Sequence, residues 1–197
     1  ANRLGTNSLI DLLVFGKAAS LTAIEKVKPN SANISLNGNA TNETIERFDK
    51  IRHTKGDTTT GEIRTAMQNI MQTNCAVFRT HNLLSEGIDK FNEVENSLDI
   101  LNVKDKSLIF NTDLVEALEL HNLMAQSKVT LNSALHRTET RGAHAREDYP
   151  ERDDKKWLIH SLTWLDNNGN VKMGSRPVHL NPLTNHVQTI PPKKRVY

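Results

Sequence analysis

The sequence has little cysteine, no long hydrophobic run and almost no excess of one charge. Cys75 is the only cysteine in 197 residues, so an internal disulfide framework and a four-cysteine metal site are both excluded. The most apolar stretch, residues 9–19, is interrupted by Asp11, Gly16 and Lys17 and does not reach the length of a membrane-spanning helix. The single cysteine therefore excludes a scaffold held by internal disulfides, and the short apolar stretches exclude a membrane-spanning helix within this sequence.

The charge balance argues against nucleic acid as a partner. Lys and Arg total 25 and Asp and Glu total 23, which gives a formal net charge of +2. Nucleic-acid-binding domains carry a much larger basic excess. The basic triplet Lys193-Lys194-Arg195 is therefore interpreted as a solvated or partner-facing tail. The sequence also contains no GxGxxG, phosphate-loop or GxSxG motif and no His/Cys cluster at metal-ligand spacing.

The N-terminal part of the chain predicts a helix from Ser8 to about Val27. Ser8 and Asp11 resemble a capping box, and apolar residues cover most of the circumference of the following turns. We expect this helix to be buried nearly all round, which requires a larger body around it. Residues 28–42 are rich in Asn, Ser and Gly and are predicted to form a polar linker.

Four further helices are predicted near residues 43–55, 60–78, 82–103 and 108–137. Within them apolar residues recur every three or four positions, as in Leu84, Ile88, Phe91 and Val94. Short polar connections between amphipathic helices favour antiparallel neighbours. The sequence therefore predicts a mainly α fold, with an antiparallel bundle of three to four helices over residues 43–137.

The C-terminal segment, residues 138–197, differs in composition from the helical region and is predicted to form a small α+β tail. Two extended runs, residues 157–165 and 171–180, flank a turn rich in Asp, Asn and Gly. Residues of these types tolerate positive φ, so this pattern predicts a β-hairpin centred on Asn168-Gly169.

Two places in the sequence are candidates for function. Arg3 and Gly5 precede the first helix, and an arginine beside unpaired helix amides makes a site for an anion such as a carboxylate. A loop arginine that caps local structure explains the same residues equally well. His144 lies in a dense polar cluster over residues 141–148, for which an ion-pair network is favoured over catalysis.

Four blocks of the sequence resemble one family. The blocks ANRLGTNSLIDLLVFGKAA, FNTDLVEALELHNLM, TETRGAHAREDYPERDD and PPKKRVY are similar, in this order, to the flavoproteins of succinate dehydrogenase and fumarate reductase. Thr140 stands where the family usually has Ser. The resemblance spans nearly the whole chain. It implies that residues 1–27 are the end of an FAD-binding domain and that the chain is the C-terminal portion of the subunit.

The resemblance also implies roles for three residues. Arg3 is similar to the family arginine that grips a carboxylate of succinate or fumarate. Ser8 and Leu9 correspond to positions that contact the flavin near its pyrimidine edge. No catalytic residue and no metal ligand is expected in this chain, because the flavin-attaching histidine and the proton-transferring arginine of the family lie upstream of Ala1.

The implied partners are the flavin-binding portion of the same subunit, an iron–sulfur protein subunit, a dicarboxylate substrate and, indirectly, membrane-anchor subunits. The expected location is peripheral, on the cytoplasmic face of a bacterial inner membrane or the matrix face of the mitochondrial inner membrane. We expect the chain to be a fragment or a split-gene product that is inactive alone and does not retain FAD. The alternatives are a fumarate reductase flavoprotein, a more distant L-aspartate oxidase, and a non-catalytic helical interaction module.

Overall fold

The structure is a computed structural model that describes residues 7–35, 37–166 and 168–193. The chain divides into two units, Ala1–Lys50 and Ile51–Tyr197. The first unit contains the helix α1 (Asn7–Lys26) and most of α2 (Gly38–Arg52). The second unit contains three long helices, three pairs of short strands and the connecting loops.

Helix α1 is apolar around its circumference but is not covered within the described part of its unit. Its large apolar side chains are exposed by fractions from 55% at Val14 to 75% at Leu13. The predicted burial is therefore not reached within the described part of this unit, because its other helix, α2, is predominantly polar. The helix begins one residue before Ser8, which lies inside the first turn and not at the predicted cap position.

Helix α2 begins earlier than the sequence pattern predicts. The side chain of Asn37 accepts a hydrogen bond from the Asn39 amide, 3.1 Å away, at the start of the helix. Such a bond satisfies an amide that would otherwise lack a partner in the first turn. The helix therefore takes in residues 38–42, the last five positions of the predicted polar linker.

The predicted helical bundle is confirmed, with three helices that pack against one another. These helices are α3 (Thr60–Asn74), α4 (His81–Asn96) and α5 (Thr112–His136). Their facing side chains form the core of the unit. The largest apolar members with almost no exposure are Ile63, Leu84, Phe91, Leu101, Leu120, Met124 and Leu131.

Polar side chains fix the starts of these helices. At α3, Thr59 and Glu62 form a capping box in which each side chain bonds the backbone amide of the other. Thr80 accepts from the Leu83 amide at α4, and Asn111 accepts from the Leu114 amide at α5. Caps of this kind stabilise a helix by about 0.5–2 kcal/mol each.

The predicted helix over residues 82–103 is wrong at its C-terminal end, and α5 starts four residues later than predicted. Helix α4 ends at Asn96, and a 3₁₀ turn (Ser97–Ile100) leads into the strand β3 (Leu101–Asn102). This strand pairs in parallel with β1 (Thr58–Thr59). Leu101 and Val103 are buried while Asn102 between them is not. Burial here therefore alternates at every second residue, as in a strand, and does not repeat every three or four residues, as in a helix.

Two further strand pairs complete the second unit. The short strands β2 (Phe78–Arg79) and β4 (Ala145–Arg146) pair in parallel, and α3 therefore ends before its predicted limit at residue 78. The predicted hairpin is confirmed as β5 (Ile159–Leu165) and β6 (Val171–Pro177), which pair antiparallel and pack on α5. At its turn Gly169 has a φ of 77°, and Asp166 accepts hydrogen bonds from the amides of Asn168 and Asn170.

Candidate functional site

The predicted ligand-contacting residues at the N-terminus are only partly described. Arg3 lies outside the described residues. Ser8 is partly exposed and Leu9 is 63% exposed, both in the first turn of α1. The amides of this turn have no partner within the helix, and the helix dipole places partial positive charge there. The start of α1 therefore presents unpaired hydrogen-bond donors.

A second polar site lies at the end of the bundle, where residues 137–154 follow α5. Arginine side chains, carboxylates and one histidine bond one another and the backbone in a continuous set, which we call the arginine network. Its members are Arg79, Arg137, Glu139, Arg141, His144, Arg146, Asp148 and Asp154.

Glu139 is the buried acceptor of this network, with no measurable exposure. Its carboxylate accepts from Arg137 Nη1 at 2.5 Å and from Arg141 Nε at 2.7 Å. The Asp153 amide donates to the same carboxylate at 2.8 Å. Burial by itself raises the pKa of Glu139, but these donors outweigh it and hold the pKa below its usual value. Glu139 is therefore a charged structural group that does not offer a proton.

Arg146 is fully buried and joins the end of α5 to the start of α4. Its Nε and Nη2 atoms donate to the two carboxylate oxygens of Asp148, each at 2.8 Å. Its Nη1 donates to the carbonyls of Ala134, Leu135 and Arg137, which complete the C-terminus of α5. A cation at this end of a helix is favoured by the dipole.

The carboxylate of Asp148 faces the opposite kind of helix end. It accepts from the His81 amide at 2.8 Å, at the first residue of α4, where negative charge is favoured. The hydrogen bonds from Arg146, followed by the one from His81, lower the pKa of Asp148 from 3.8 to about 2. One arginine–carboxylate pair therefore connects two helices of the bundle.

Arg79 and His144 connect the third helix to the same network. Arg79 Nε and Nη2 donate to the carbonyls of Ala76 and Cys75, directly after α3. Its Nη1 lies 2.9 Å from His144 Nδ1, and His144 Nε2 lies 3.0 Å from the Arg137 carbonyl. Since arginine only donates and a carbonyl only accepts, the imidazole is neutral with its proton on Nε2.

The protonation of His144 follows from its surroundings. Burial first, and then the positive charges of Arg79, Arg146 and Arg137, hold its pKa below the usual value. Both ring nitrogens are already hydrogen-bonded, so the ring has no position left for exchanging a proton with a substrate. The structure therefore shows the ion-pair network that the sequence favoured over catalysis at residues 141–148.

Thr140 fills a defined position within the same loop. Its hydroxyl accepts from the Arg146 amide at 2.9 Å and donates to the Tyr149 carbonyl, also at 2.9 Å. The hydroxyl is the group that the loop uses. A serine, the residue expected here from the resemblance, would provide the same bonds.

A surface hollow of about 500 Å³ borders the network, but its charged lining is already engaged. Arg137 and Arg141 line the hollow, and both are paired with Glu139. Within residues 7–35, 37–166 and 168–193, no group of three or more His, Cys, Asp or Glu side chains is arranged to hold a metal ion. The network's geometry is that of a loop held against three helix ends.

Arg79 and Arg137 are members of the network that the sequence did not single out, and Arg79 is the more distant of the two. It lies 65 residues before His144, outside the cluster over residues 141–148. In the sequence, Arg79 stands just after a predicted helix and just before Thr80, which caps the next helix. That signal predicts local capping but does not predict its contact with the later loop.

The chain is similar to flavoproteins of one enzyme family. A family model described as "Fumarate reductase flavoprotein C-term" matches residues 64–197. The succinate dehydrogenase flavoprotein subunit of Rickettsia bellii is 50% identical over 100% of this chain and 33% of its own length. The mitochondrial succinate dehydrogenase [ubiquinone] flavoprotein subunit of Oryza sativa is 45% identical over 100% of this chain and 31% of its own length.

A solved structure agrees with these relatives. A FrdA-mutant quinol fumarate reductase of E. coli matches with a TM-score of 0.84 and 33% sequence identity, over 99% of this chain and 33% of the other. The chain spans about a third of the length of the curated relatives it matches. The chain therefore belongs to the family of succinate dehydrogenase and fumarate reductase flavoprotein subunits and corresponds to their C-terminal part.

Proposed function

We propose that this chain provides the C-terminal part of an FAD-containing succinate dehydrogenase subunit, which converts succinate to fumarate. In this proposal electrons pass by way of the flavin and an iron–sulfur partner subunit to a quinone. The observation that carries the proposal is the 50% identity between the whole chain and the succinate dehydrogenase flavoprotein subunit of Rickettsia bellii. That relative is about three times as long, since the chain covers 33% of it.

The apolar surface of α1 supports assembly with a larger polypeptide. Leu9, Leu13 and Ile24 are exposed by 63%, 75% and 73%. A helix that is apolar all round is stable when it is buried on all sides. Burying one such side chain fully contributes about 1.5–3 kcal/mol. We infer that a flavin-binding polypeptide, corresponding to the remaining length of the relatives, covers this helix.

The first turn of α1 has donors that fit one edge of a flavin. The pyrimidine edge of the ring system offers acceptor atoms and becomes negatively charged on reduction, and the amides after Asn7 are unpaired donors. The hydroxyl of Ser8 lies in the same turn and is partly exposed. FAD supplies the acceptor for the hydride of the dicarboxylate. Ser8 and Leu9 would position the edge of the ring, and the helix dipole would favour the reduced form.

Arg3 is proposed to bind a carboxylate of the substrate. Its guanidinium group can donate two parallel hydrogen bonds to a carboxylate, and it precedes the helix end by a few residues. It would orient the dicarboxylate and neutralise one of its charges. The proton-transferring and flavin-attaching groups would come from the partner polypeptide, so this chain's part is to bind and orient.

The proposed assembly is peripheral to a membrane. We propose contacts with an iron–sulfur subunit and, through it, with membrane anchors, on the cytoplasmic face of a bacterial inner membrane or on the mitochondrial matrix face. The solved fumarate reductase to which the chain is similar is named as a quinol enzyme, which supports a quinone-linked reaction. Among the described residues, none of the helices combines the length and the apolar character needed to cross a bilayer.

Fumarate reduction is the second candidate function. The favouring observation is the TM-score of 0.84 with E. coli quinol fumarate reductase, together with the description of the matching family model. Both reactions use the same dicarboxylates and flavin chemistry, so the same residues serve both. The direction is set by redox potentials and is separated by comparing rates of succinate oxidation and fumarate reduction.

The test is co-expression of this chain with the polypeptide that precedes the matched region in the Rickettsia bellii subunit. We expect the two polypeptides to co-purify with a flavin absorbance spectrum and to reduce an artificial dye when succinate is added. Co-purification without flavin and without dye reduction would support a non-catalytic helical module instead. Absence of any association would contradict the proposed function altogether.

A further inference from the structure

Three consecutive apolar side chains are exposed at one end of the second unit. They are Leu108, Ile109 and Phe110, exposed by 64%, 77% and 98%, and we call residues 108–110 the apolar loop. Single exposed apolar residues are ordinary on protein surfaces, but a contiguous exposed group marks a contact site. The loop lies directly before Asn111, the residue that caps α5.

Hydrogen bonds on both sides hold the apolar loop in one conformation. The Asn111 side-chain amide donates to the carbonyls of Asp105 and Ser107, at 2.7 and 2.8 Å. The Asp113 carboxylate accepts from the amides of Lys104 and Asp105, at 2.6 and 3.2 Å. Asp105 in turn accepts from the Ser107 amide at 2.8 Å. The three apolar side chains are thus presented by a fixed backbone.

Phe110 itself has an unfavourable backbone conformation. Its φ is 49°, in the left-handed region that a bulky side chain rarely adopts, and its carbonyl accepts from the Thr112 amide at 3.1 Å. Strain of this kind persists where the surroundings impose it, and it is concentrated at contact and binding sites. Packing within the described chain does not explain a phenylalanine at this position, because its ring touches almost nothing there. The backbone conformation does not explain it either, because a φ of 49° disfavours a bulky side chain.

The apolar loop lies beside the point where the chain enters the second unit. Arg52 Nε donates to the Lys106 carbonyl, and Lys106 Nζ donates to the Thr54 carbonyl, both at 2.6 Å. Residues 52–54 directly follow the boundary of the first unit at Lys50. Along the sequence, residues 27–37 and helix α2 lie between this stretch and α1, the helix that we propose a flavin-binding polypeptide covers.

We propose that the apolar loop is a docking surface for that flavin-binding polypeptide, with Phe110 as the side chain inserted into it. This inference rests on the proposed function. The relatives contain about twice as much further polypeptide as this chain, since it covers 33% and 31% of their lengths. A second copy of this chain is a poor occupant, because three side chains cover far less than the roughly 1,200–2,000 Å² of a stable interface. A small anchor suffices for a partner that α1 already holds, since its effective concentration is high.

The experiment uses the co-expressed complex with the Rickettsia bellii flavin-binding polypeptide and compares Phe110→Asn with Leu183→Asn. Asn tolerates the left-handed backbone, so Phe110→Asn relieves strain without removing packing within the chain. Leu183 is also fully exposed and lies on the C-terminal side of the hairpin, so it controls for the loss of one exposed apolar side chain. We expect Phe110→Asn to weaken association about 10- to 100-fold, as for an interface anchor, while Leu183→Asn leaves it unchanged.

Thermal unfolding of the two variant chains alone separates docking from folding. The Tm of Phe110→Asn is expected to equal or exceed that of the wild type. Unchanged association of Phe110→Asn, with the wild-type complex intact, would overturn the docking surface and leave the proposed function standing. Failure of the wild-type chain to associate would overturn both.

A crosslink identifies the occupant directly. A photoreactive phenylalanine analogue at position 109 should form its crosslink with the flavin-binding polypeptide in the complex. A crosslink to a second copy of this chain, or to an iron–sulfur subunit added to the complex, would contradict the assignment.

Discussion

Single charged residues account for the attachment of residues 138–154 to the bundle. Arg146 is fully buried, and its bidentate bond with Asp148 leaves no guanidinium charge uncompensated. Removing one partner of a buried pair costs more than the pair contributes in total, because the other charge stays buried. We therefore expect the loss of stability on replacing Arg146 or Asp148 to depend on pH.

The first prediction concerns Asp148→Asn. A drop in pKa from 3.8 to about 2 corresponds to about 2 kcal/mol for a fully shielded group, and solvent screening at the exposed Asp148 reduces this contribution to about 1 kcal/mol. Because the folded pKa is the lower one, this stability is present above about pH 4 and is lost as the pH falls toward 2. We expect Asp148→Asn to lower the free energy of unfolding at pH 7 by more than this amount, because Arg146 stays buried without its carboxylate partner, and we expect the difference from wild type to shrink below pH 4.

Denaturant unfolding at several pH values measures this difference. Asp89→Asn, an exposed carboxylate on α4, is the control and should change the stability little at any of them. A difference between wild type and Asp148→Asn that stays constant from pH 7 to pH 3 would contradict the charged role of Asp148.

The second prediction concerns Arg3 in the assembled flavoprotein. Arg3→Ala would leave a substrate carboxylate unpaired in a closed site, at a cost of about 2–5 kcal/mol, or roughly 30- to several thousand-fold in kcat/KM. Arg3→Lys should restore only part of this, because an ammonium group keeps the charge but loses the planar two-bond match. Steady-state kinetics with succinate and the flavin-to-protein ratio are the measurements.

Two outcomes would remove Arg3 from the substrate site. Wild-type kinetics of Arg3→Lys would show that two parallel hydrogen bonds are not used. A loss of flavin in proportion to the loss of activity in Arg3→Ala would assign the arginine to the cofactor or to the fold.

At the scale of elements, the pairing of β1 with β3 depends on a close backbone approach at Gly56. Its amide donates to the Leu101 carbonyl at 3.0 Å, and a Cβ at this position would lie 1.8 Å from the Ile100 carbonyl oxygen. We therefore expect Gly56→Ala to destabilise the chain by about 1–3 kcal/mol, the range typical of overpacking. Thermal or denaturant unfolding measures the effect.

Gly61 provides the matched control for this third prediction. It lies in the first turn of α3, and a Cβ there would meet no atom within 4 Å. Gly61→Ala should stabilise the chain by up to about 1 kcal/mol, because alanine favours the helix. Equal effects of the two substitutions would contradict the steric argument at Gly56.

The same region marks how far the sequence alone predicts the elements. The spacing of Leu84, Ile88 and Phe91 predicts the body of α4 correctly, because the inward face of a helix repeats every three or four residues. Leu101 continues that spacing, yet it lies in a strand next to buried Val103. The deciding contact, with Gly56 and Thr58, comes from more than 40 residues earlier in the chain and leaves no local pattern.

The hairpin and the arginine network show the same distinction. Turn residues at Asn168 and Gly169 predict the hairpin because its register is set locally. The cluster around His144 predicts ion pairs, but Arg79 joins it only through the fold. The role of Arg3, Ser8 and Leu9 remains a prediction from the resemblance.

At the scale of the whole molecule, the fourth prediction is that this chain alone binds no FAD tightly and does not oxidise succinate. In the proposed assembly, the described residues would contribute at most one edge of the flavin site, at the first turn of α1. A few contacts at one edge do not offset the cost of immobilising a large ligand. Gel filtration after incubation with FAD, followed by an absorbance spectrum, tests this, and a stoichiometric flavin signal would contradict it.

The arginine network also sets an order of events during synthesis of the chain. Arg79 and the start of α4 leave the ribosome long before His144 and Asp148, which are 65 and 67 residues from their partners. The core of α3, α4 and α5 can form while the His81 amide still bonds to water, because its contacts lie between neighbouring helices. The three helix ends are joined only when residues 144–148 emerge. The bundle is therefore closed by a segment that is translated after all of its helices.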